Sequence, residues 1–235
     1  MDIRKKLKEA IEQYEDDDKM KSFIIDETLL GEDYPENFSL DDLVRERSYN
    51  AKRRYISQHL RKIGAGSARE VYYVDSTKVV KLAKNDKGVA QNGVEAQGYI
   101  QNAYSDIVAR VYASDDNDIW LEMELAKKIS PKRFKELTGL DFNEFGRMLV
   151  YMIDNKTHFG TPPQEKIDAY AEHPFAGELI EMAGNLSMPS GDFQKINSFG
   201  EVTREGHQLP VVVDYGFDEH VKSTHYAPKQ QRRYY

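Results

Sequence analysis

The chain has 235 residues, with 33 lysines and arginines against 40 aspartates and glutamates, so its formal net charge is −7. Hydrophobic residues make up 40% of the sequence, which is enough for a packed core and argues against a wholly disordered chain. The absence of cysteine excludes disulfide frameworks, cysteine-ligated zinc sites and thiol nucleophiles, and it is compatible with the reducing cytoplasm that we expect.

Neither a membrane nor a nucleic acid is expected as a partner. No uncharged apolar run approaches the roughly 20 residues that cross a bilayer. The N-terminal basic residues are followed by acids, whereas a secretion signal would continue with an apolar run. An acidic average argues against general nucleic-acid binding, which needs clustered lysine and arginine. The six histidines show no metal-ligand spacing.

Residues 1–60 form a predicted helical extension with unevenly distributed charge. Apolar spacing predicts a helix over Arg4 to Tyr14, and a capping pattern at Ser39 predicts a second helix that runs through Leu60. An acidic block at residues 26–42 precedes a basic block at residues 45–62. Such blocks are typical of solvated faces or docking arms, so the extension either packs on the rest of the chain or binds a protein partner.

Two β-hairpins are predicted after the extension. In the first, a glycine-rich entry leads into strands at residues 70–74 and 78–82. Residues 88–104 follow as a helix weakened by two glycines. Apolar runs at residues 107–113 and 119–125 then flank an acidic turn, which predicts the second hairpin, with Trp120 packed in its core.

Beyond Lys127 the pattern predicts mainly helices. Start signals lie at Ser130-Pro131 and at Asp141, and a third helix is predicted from about Gln164 to Met182 with a break at Pro174. A polar loop at residues 190–197 and an apolar strand at residues 209–213 follow these helices.

The first hairpin carries two features of a phosphate-binding site. Gly64-Ala65-Gly66 has the spacing of a G-x-G-x-x-G-x-V loop relative to Val71, although Arg69 stands at the third glycine. An ordinary turn would give the same local pattern. Lys81 lies inside an apolar strand and needs an anionic partner, for which Glu95 is best placed. An edge-strand lysine that reaches water, beside a surface glutamate, is the alternative.

The strongest signal is a pair of loops near the end of the chain. Asp192 and Asn197 have the spacing of a D-x-x-x-x-N catalytic loop, in which the aspartate accepts a hydroxyl proton and the asparagine binds a metal. Asp214-Tyr215-Gly216 follows an apolar run, as a metal-binding D-F-G does. Carboxylate and amide oxygens suit magnesium. Either motif alone is compatible with a polar loop, but their order argues against chance.

Together these motifs resemble a protein-kinase-like fold over roughly Lys62 to Val221. The resemblance implies an α+β, two-lobed structure with an antiparallel-sheet N-lobe at residues 61–126, a reduced helical C-lobe at residues 127–235 and the helical extension. The small size is similar to that of atypical kinases such as the RIO family and the aminoglycoside phosphotransferases. Short kinase-like proteins of this kind also occur in bacteriophages.

The resemblance also implies a role for each matching residue. Lys81 resembles the phosphate-binding lysine, and Glu95 resembles its helix partner. The remaining implied roles are the phosphate loop at Gly64, Ala65, Gly66 and Ser67, the adenine-binding hinge at Met123, Glu124 and Ala126, the catalytic acid Asp192, and the magnesium ligands Asn197 and Asp214.

The expected function is an ATP- and magnesium-dependent phosphotransferase that moves the γ-phosphoryl group to a hydroxyl of a protein or a small molecule. Ser190-Gly191 replaces the usual His-Arg before Asp192, and 19 residues follow Gly216, without an A-P-E segment. These departures support an alternative, a pseudokinase that binds nucleotide or a protein partner without turnover. The acceptor, the biological process and the oligomeric state are left open.

Overall fold

The computed structural model describes residues 35–157 and 159–226. Its α-helices are α1 (Leu40–Arg45), α2 (Tyr49–His59), α3 (Asp86–Glu95), α4 (Gly98–Ala103), α5 (Pro131–Thr138), α6 (Phe142–Met152), α7 (Gln164–Ala171), α8 (Pro174–Asn185) and α9 (Glu219–Val221). Its strands are β1 (Arg61–Ala65), β2 (Arg69–Tyr73), β3 (Lys78–Ala83), β4 (Val111–Ser114), β5 (Trp120–Glu124), β6 (Lys127–Lys128), β7 (Phe199–Arg204) and β8 (His207–Val212). The predicted helix Arg4 to Tyr14 and most of the acidic block lie outside the described residues.

The N-terminal half is built on a five-stranded antiparallel sheet in the order β1-β2-β3-β5-β4. A smaller sheet in the order β6-β7-β8 lies among the later helices. The predicted α+β class, with an antiparallel sheet followed by a mainly helical part, is confirmed. Strand β3, which carries Lys81, is central, so the edge-strand alternative for this lysine is wrong.

The large sheet has two different buried faces because side chains alternate along each strand. On one face Val79, Leu121 and Met123 join the main core, which continues into the helices of the second half. On the other face Val80 and Trp120 belong to a separate outer core. Every residue of β3 is buried, including Lys78 and Lys81, as expected for a strand that is covered on both faces.

The described part of the extension covers the outer face of this sheet. Phe38, Leu43, Ile56 and Leu60 supply one side of the outer core, and each is at most 5% exposed. The basic block pairs mainly with acids of the sheet and its turns. Arg53 and Lys62 bind Glu70, and Lys52 binds Asp115 and the carbonyl of Leu43.

Two long helices expected from the sequence are each divided in the structure. The expected helix from Ser39 through Leu60 stops at Arg45, and a second helix begins at Tyr49. Ser48 caps this second helix, because its side chain accepts a hydrogen bond from the Ala51 N–H at 3.1 Å. The expected helix at residues 88–104 divides into α3 and α4. In both regions a local cap or glycine outweighs the apolar periodicity. The predicted break at Pro174 is confirmed.

Strand β7 was not predicted, and its hairpin with β8 has a recognisable turn. Glu205 and Gly206 both have positive φ, at 52° and 81°, as a two-residue type I′ turn requires. Residues 107–109, expected in a hairpin strand, instead bond to the end of β8, since the Ala109 N–H donates to the Val212 carbonyl at 2.9 Å. These bonds attach the two sheets to each other.

Truncation of Leu43 should show that α1 is part of the folded unit. We expect Leu43→Ala to lower the free energy of unfolding by about 2–5 kcal/mol, because it opens a cavity in the outer core. The control is Val44→Ala, since Val44 is 48% exposed. Urea unfolding of both variants provides the measurement. Equal, small effects would show that α1 contributes little to stability.

Glu70 should make stability depend on pH in the acidic range. Burial acts to raise the pKa of Glu70, but hydrogen bonds from Arg53 and Tyr72 and the charge of Lys62 lower it to about 2. A lowered pKa in the folded state stabilises the protein above the ordinary value of 4.5, and this contribution is lost as the pH falls toward 2.

The variant Glu70→Gln isolates this contribution. We expect it to lower the free energy of unfolding by about 1–3 kcal/mol at neutral pH and by progressively less below about pH 4.5. Urea unfolding of the wild type and the variant at several pH values gives the difference directly. A difference that stays constant with pH would contradict the role of the Glu70 charge.

Candidate active site

A buried ion pair lies between the large sheet and the helices. Lys81 on β3 donates to Glu95 Oε2 at 2.8 Å and to the Val213 carbonyl at 2.7 Å. Glu95 is fully buried near the end of α3. Burial lowers the pKa of Lys81, an effect that Arg69 strengthens and Glu95 and Asp214 oppose. An anion that approached the ammonium would therefore favour its charged form.

Arg69, considered in the sequence only as a missing glycine, points into the same cluster. Its NH1 lies 2.8 Å from Glu95 Oε2, and its NH2 lies 2.6 Å from Asp214 Oδ1. Burial opposes the charge of Arg69, but Glu95 and Asp214 raise its pKa above the ordinary value. The structure thus joins two cations and two carboxylates from distant parts of the chain.

The loop between β1 and β2 leads into Arg69 and is attached to the residues just before α3. The Asn85 side-chain amide donates to the Ser67 carbonyl at 3.2 Å, and Lys84 Nζ donates to the Gly66 carbonyl at 3.0 Å. A Cβ atom added at Gly66 would meet nothing within 4 Å, and one at Gly64 would make ordinary contact with Val71. Packing therefore does not require glycine at either position.

The loop with Asp192 is held by an aspartate that the sequence motifs did not reveal. Asp154 accepts hydrogen bonds from the Ser190 N–H at 3.0 Å and from the Ser190 hydroxyl at 2.9 Å. Burial acts to raise the pKa of Asp154, but Ser190 and Lys156 lower it. The sequence carried one signal for such an acceptor: Ser190, a hydrogen-bond donor, stands where the motif has histidine. The structure shows that Ser190 is buried.

Asp192 itself is partly exposed and bonds to Lys195 Nζ at 2.6 Å. Desolvation acts to raise the pKa of Asp214, but the charges of Arg69, Lys81 and, more weakly, Lys195 lower it below the ordinary value. Asn197 is exposed in a short 3₁₀ turn of the same loop. The sequence-predicted acids Asp192 and Asp214 thus lie in two separate segments, one before β7 and one after β8.

The Tyr215 side chain fixes the loop that carries Asp214. Its hydroxyl donates to the Ala109 carbonyl at 2.9 Å and accepts from Gln101 at 2.6 Å, and Gln101 also donates to the Glu95 carbonyl at 3.1 Å. Burial raises the pKa of Tyr215 well above its ordinary value. A Cβ on Gly216 would lie 2.5 Å from the Gln91 carbonyl, so only glycine fits against α3.

The donors expected for magnesium are of the right chemical type. Asp214 offers a half-exposed carboxylate at a strand end, and Asn197 offers an amide oxygen. Arg69 already holds one oxygen of Asp214, so a cation there would compete with a guanidinium. Within the described part of the chain, no group of three or more histidines and acids is arranged to hold a metal.

The expected hinge is partly occupied by bonds inside the protein. Met123 is fully buried opposite Val79, and Glu124 pairs with Arg204 at 2.5 Å. The backbone N–H groups of Glu124 and Leu125 bond to carbonyls of the protein at 2.8 and 2.6 Å. Adenine binding by this segment therefore stays a prediction, and so do the other residue roles.

No protein-family model matches the chain. Among curated proteins, a DNA ligase of Campylobacter fetus subsp. fetus (strain 82-40) is 27% identical over 121 residues, which are 51% of this chain and 18% of the ligase. The chain thus spans less than one fifth of this curated relative, and a likeness of that extent does not assign a family.

Several solved structures resemble the chain at low sequence identity. The streptomycin–ATP–APH(2″)-IIa ternary complex has a TM-score of 0.32 at 13% identity and covers 75% of this chain and 68% of its own. ADP-bound aminoglycoside phosphotransferase APH(2″)-Ib has a TM-score of 0.32 at 15% identity, and the match covers 70% of this chain and 69% of that chain. SAICAR-synthase from Saccharomyces cerevisiae, complexed with SAICAR, has a TM-score of 0.34 at 12% identity, and the match covers 66% of this chain and 72% of that chain. The match to these structures is a distant likeness of fold.

Likenesses at TM-scores near 0.3 carry nothing about substrate or reaction. The function of this chain is therefore inferred from its own side chains. In the described residues, no helix combines the length and apolar character needed to cross a membrane.

Removal of the Tyr215 hydroxyl should loosen the Asp214 loop. We expect Tyr215→Phe to lower the free energy of unfolding by about 1–3 kcal/mol, because buried hydrogen-bonding groups lose their partner. The control Tyr73→Phe removes a hydroxyl outside this network, from a partly buried residue of β2. Urea unfolding and amide hydrogen exchange at Asp214 and Gly216 report the effect. Unchanged exchange would contradict the role of the hydroxyl.

Proposed function

We propose that this chain binds a nucleoside triphosphate, ATP in the first instance, and transfers its γ-phosphoryl group to a hydroxyl of a protein or a small molecule. The observation that carries the proposal is the buried ion pair between Lys81 on the central strand and Glu95 on α3. A lysine held by a helix glutamate is the arrangement that positions triphosphates in kinase-like sites.

The binding steps follow from the groups that surround this pair. Lys81 neutralises the phosphates. The loop at residues 64–67 contributes backbone N–H groups other than that of Gly66, which already donates to the Arg69 carbonyl at 2.8 Å. Within the hinge, Ala126 is the residue to which we assign adenine recognition, because the N–H groups of Glu124 and Leu125 are already bonded. Met123 is fully buried in the main core and supports this segment from within the sheet.

The transfer step uses Asp192 as the proton acceptor. As the acceptor oxygen attacks the γ-phosphorus, its O–H proton passes to the Asp192 carboxylate, the bond to the β-phosphate oxygen breaks, and the nucleoside diphosphate leaves. Asp154 and Ser190 hold the loop that positions Asp192. Asp214 and Asn197 would hold magnesium, which when bound neutralises phosphate charge.

A second candidate function is nucleotide binding without turnover. The contact between Arg69 and Asp214 favours it, because a guanidinium occupies the carboxylate on which metal-assisted transfer would depend. The two candidates differ in one measurable outcome, the appearance of labelled acceptor.

Two substitutions separate catalysis from binding. With labelled ATP and magnesium, alone and with cell lysate, we expect Asp192→Asn to reduce transfer by about 10²-fold or more. Its ATP affinity, measured by fluorescent-nucleotide titration, should stay close to that of the wild type. Lys81→Met should weaken both. Asp116→Asn, in an exposed turn, is the matched control.

The outcomes discriminate between the candidates. An active Asp192→Asn variant would show that Asp192 is not the proton acceptor. Binding without transfer by the wild type would establish the second candidate. If millimolar ATP neither binds nor raises the melting temperature, both fail, since a ligand of the folded state must stabilise it.

A further inference from the structure

Arg69 makes contacts that a glycine at its position could not make. The residue is 8% exposed at the start of β2, directly after the open loop. Its guanidinium joins Glu95 to Asp214, two residues that belong to α3 and to the loop after β8. Asn92 of α3 also accepts a hydrogen bond from NH1, at 3.4 Å. The side chain is therefore held in place at several points.

The cluster has balanced charge only because Arg69 is present. Lys81 and Arg69 contribute two positive charges, and Glu95 and Asp214 contribute two negative charges. Without Arg69 the same cluster would carry one excess negative charge and would repel a triphosphate until a metal ion arrived. A guanidinium stays charged throughout the physiological pH range and presents several N–H groups that suit phosphate oxygens.

We propose that Arg69 is a fixed phosphate-binding cation that replaces part of the metal charge at Asp214, so that nucleotide binds with little dependence on a divalent cation. This inference rests on the proposed nucleotide site. A metal ion that approached Asp214 would meet a like charge and would compete for Oδ1. Arg69 instead brings its charge without the dehydration that a magnesium ion requires.

The first test uses the wild-type chain and a fluorescent ATP analogue, titrated in magnesium and in EDTA. We expect the dissociation constant to differ by less than about threefold between the two conditions. In Arg69→Gln we expect it to rise by more than about tenfold in EDTA and to recover with magnesium, because a charge-assisted contact to phosphate is lost. Arg54→Gln, an exposed position on α2, removes the same charge as a control.

The second test measures metal binding without nucleotide. Manganese titration followed by electron paramagnetic resonance should show weak binding by the wild type and at least about tenfold tighter binding by Arg69→Gln, because Asp214 is released. Adding Asp214→Asn to that variant should remove the gain. Equal manganese binding by the wild type and Arg69→Gln would overturn the competition.

Folding is controlled separately, since Arg69→Gln leaves the buried carboxylate of Glu95 and the half-exposed carboxylate of Asp214 with one cation. Arg69→Lys keeps the charge but cannot reach both carboxylates with one planar group, so an intermediate dependence on magnesium is expected. The wild-type titration needs no variant. A steep magnesium requirement in the wild type overturns this inference and leaves the proposed function standing, whereas no nucleotide binding in either condition overturns both.

Discussion

The ammonium of Lys81 is buried on the central strand of a sheet that is covered on both faces, and this position requires compensation. Because an unpaired charge there would be very unfavourable, α3 must approach closely enough for Glu95 to reach it. That approach brings α3 against the loop with Asp214, where Gly216 permits contact with Gln91. One electrostatic requirement thus determines the spacing between the sheet, a helix and the second half of the chain.

Much of this arrangement could be predicted from the sequence, because its parts have local signatures. A lysine in an apolar run, a polar loop with fixed spacing and an aspartate after a strand are each visible within about ten residues. That these motifs belong to one site was predicted from their order along the chain, which resembles that of protein-kinase-like sequences. The breaks at Ser48 and between α3 and α4 were missed because apolar periodicity continues across both.

The contacts of Arg69 with Glu95 and Asp214 could not have been predicted from local sequence patterns. Arg69 and Asp214 are separated by 145 positions, so no local pattern connects them. The same holds for Asp154, which supports Ser190 from 36 positions away. Departures from a motif are therefore informative once the structure shows what the new side chain contacts. At position 69 an arginine stands where the G-x-G-x-x-G-x-V pattern has a glycine, and its guanidinium binds Glu95 and Asp214.

The outer core has a spectroscopic consequence. Trp120 is the single tryptophan of the chain, and it lies 2% exposed on the face of the sheet that α1 and α2 cover. Its indole N–H has no hydrogen-bond partner among the described residues, so its surroundings are apolar. Intrinsic tryptophan emission therefore reports on one boundary alone, the contact between the helical extension and the sheet. A red shift that precedes loss of helical circular dichroism would reveal the extension leaving while the remaining fold persists.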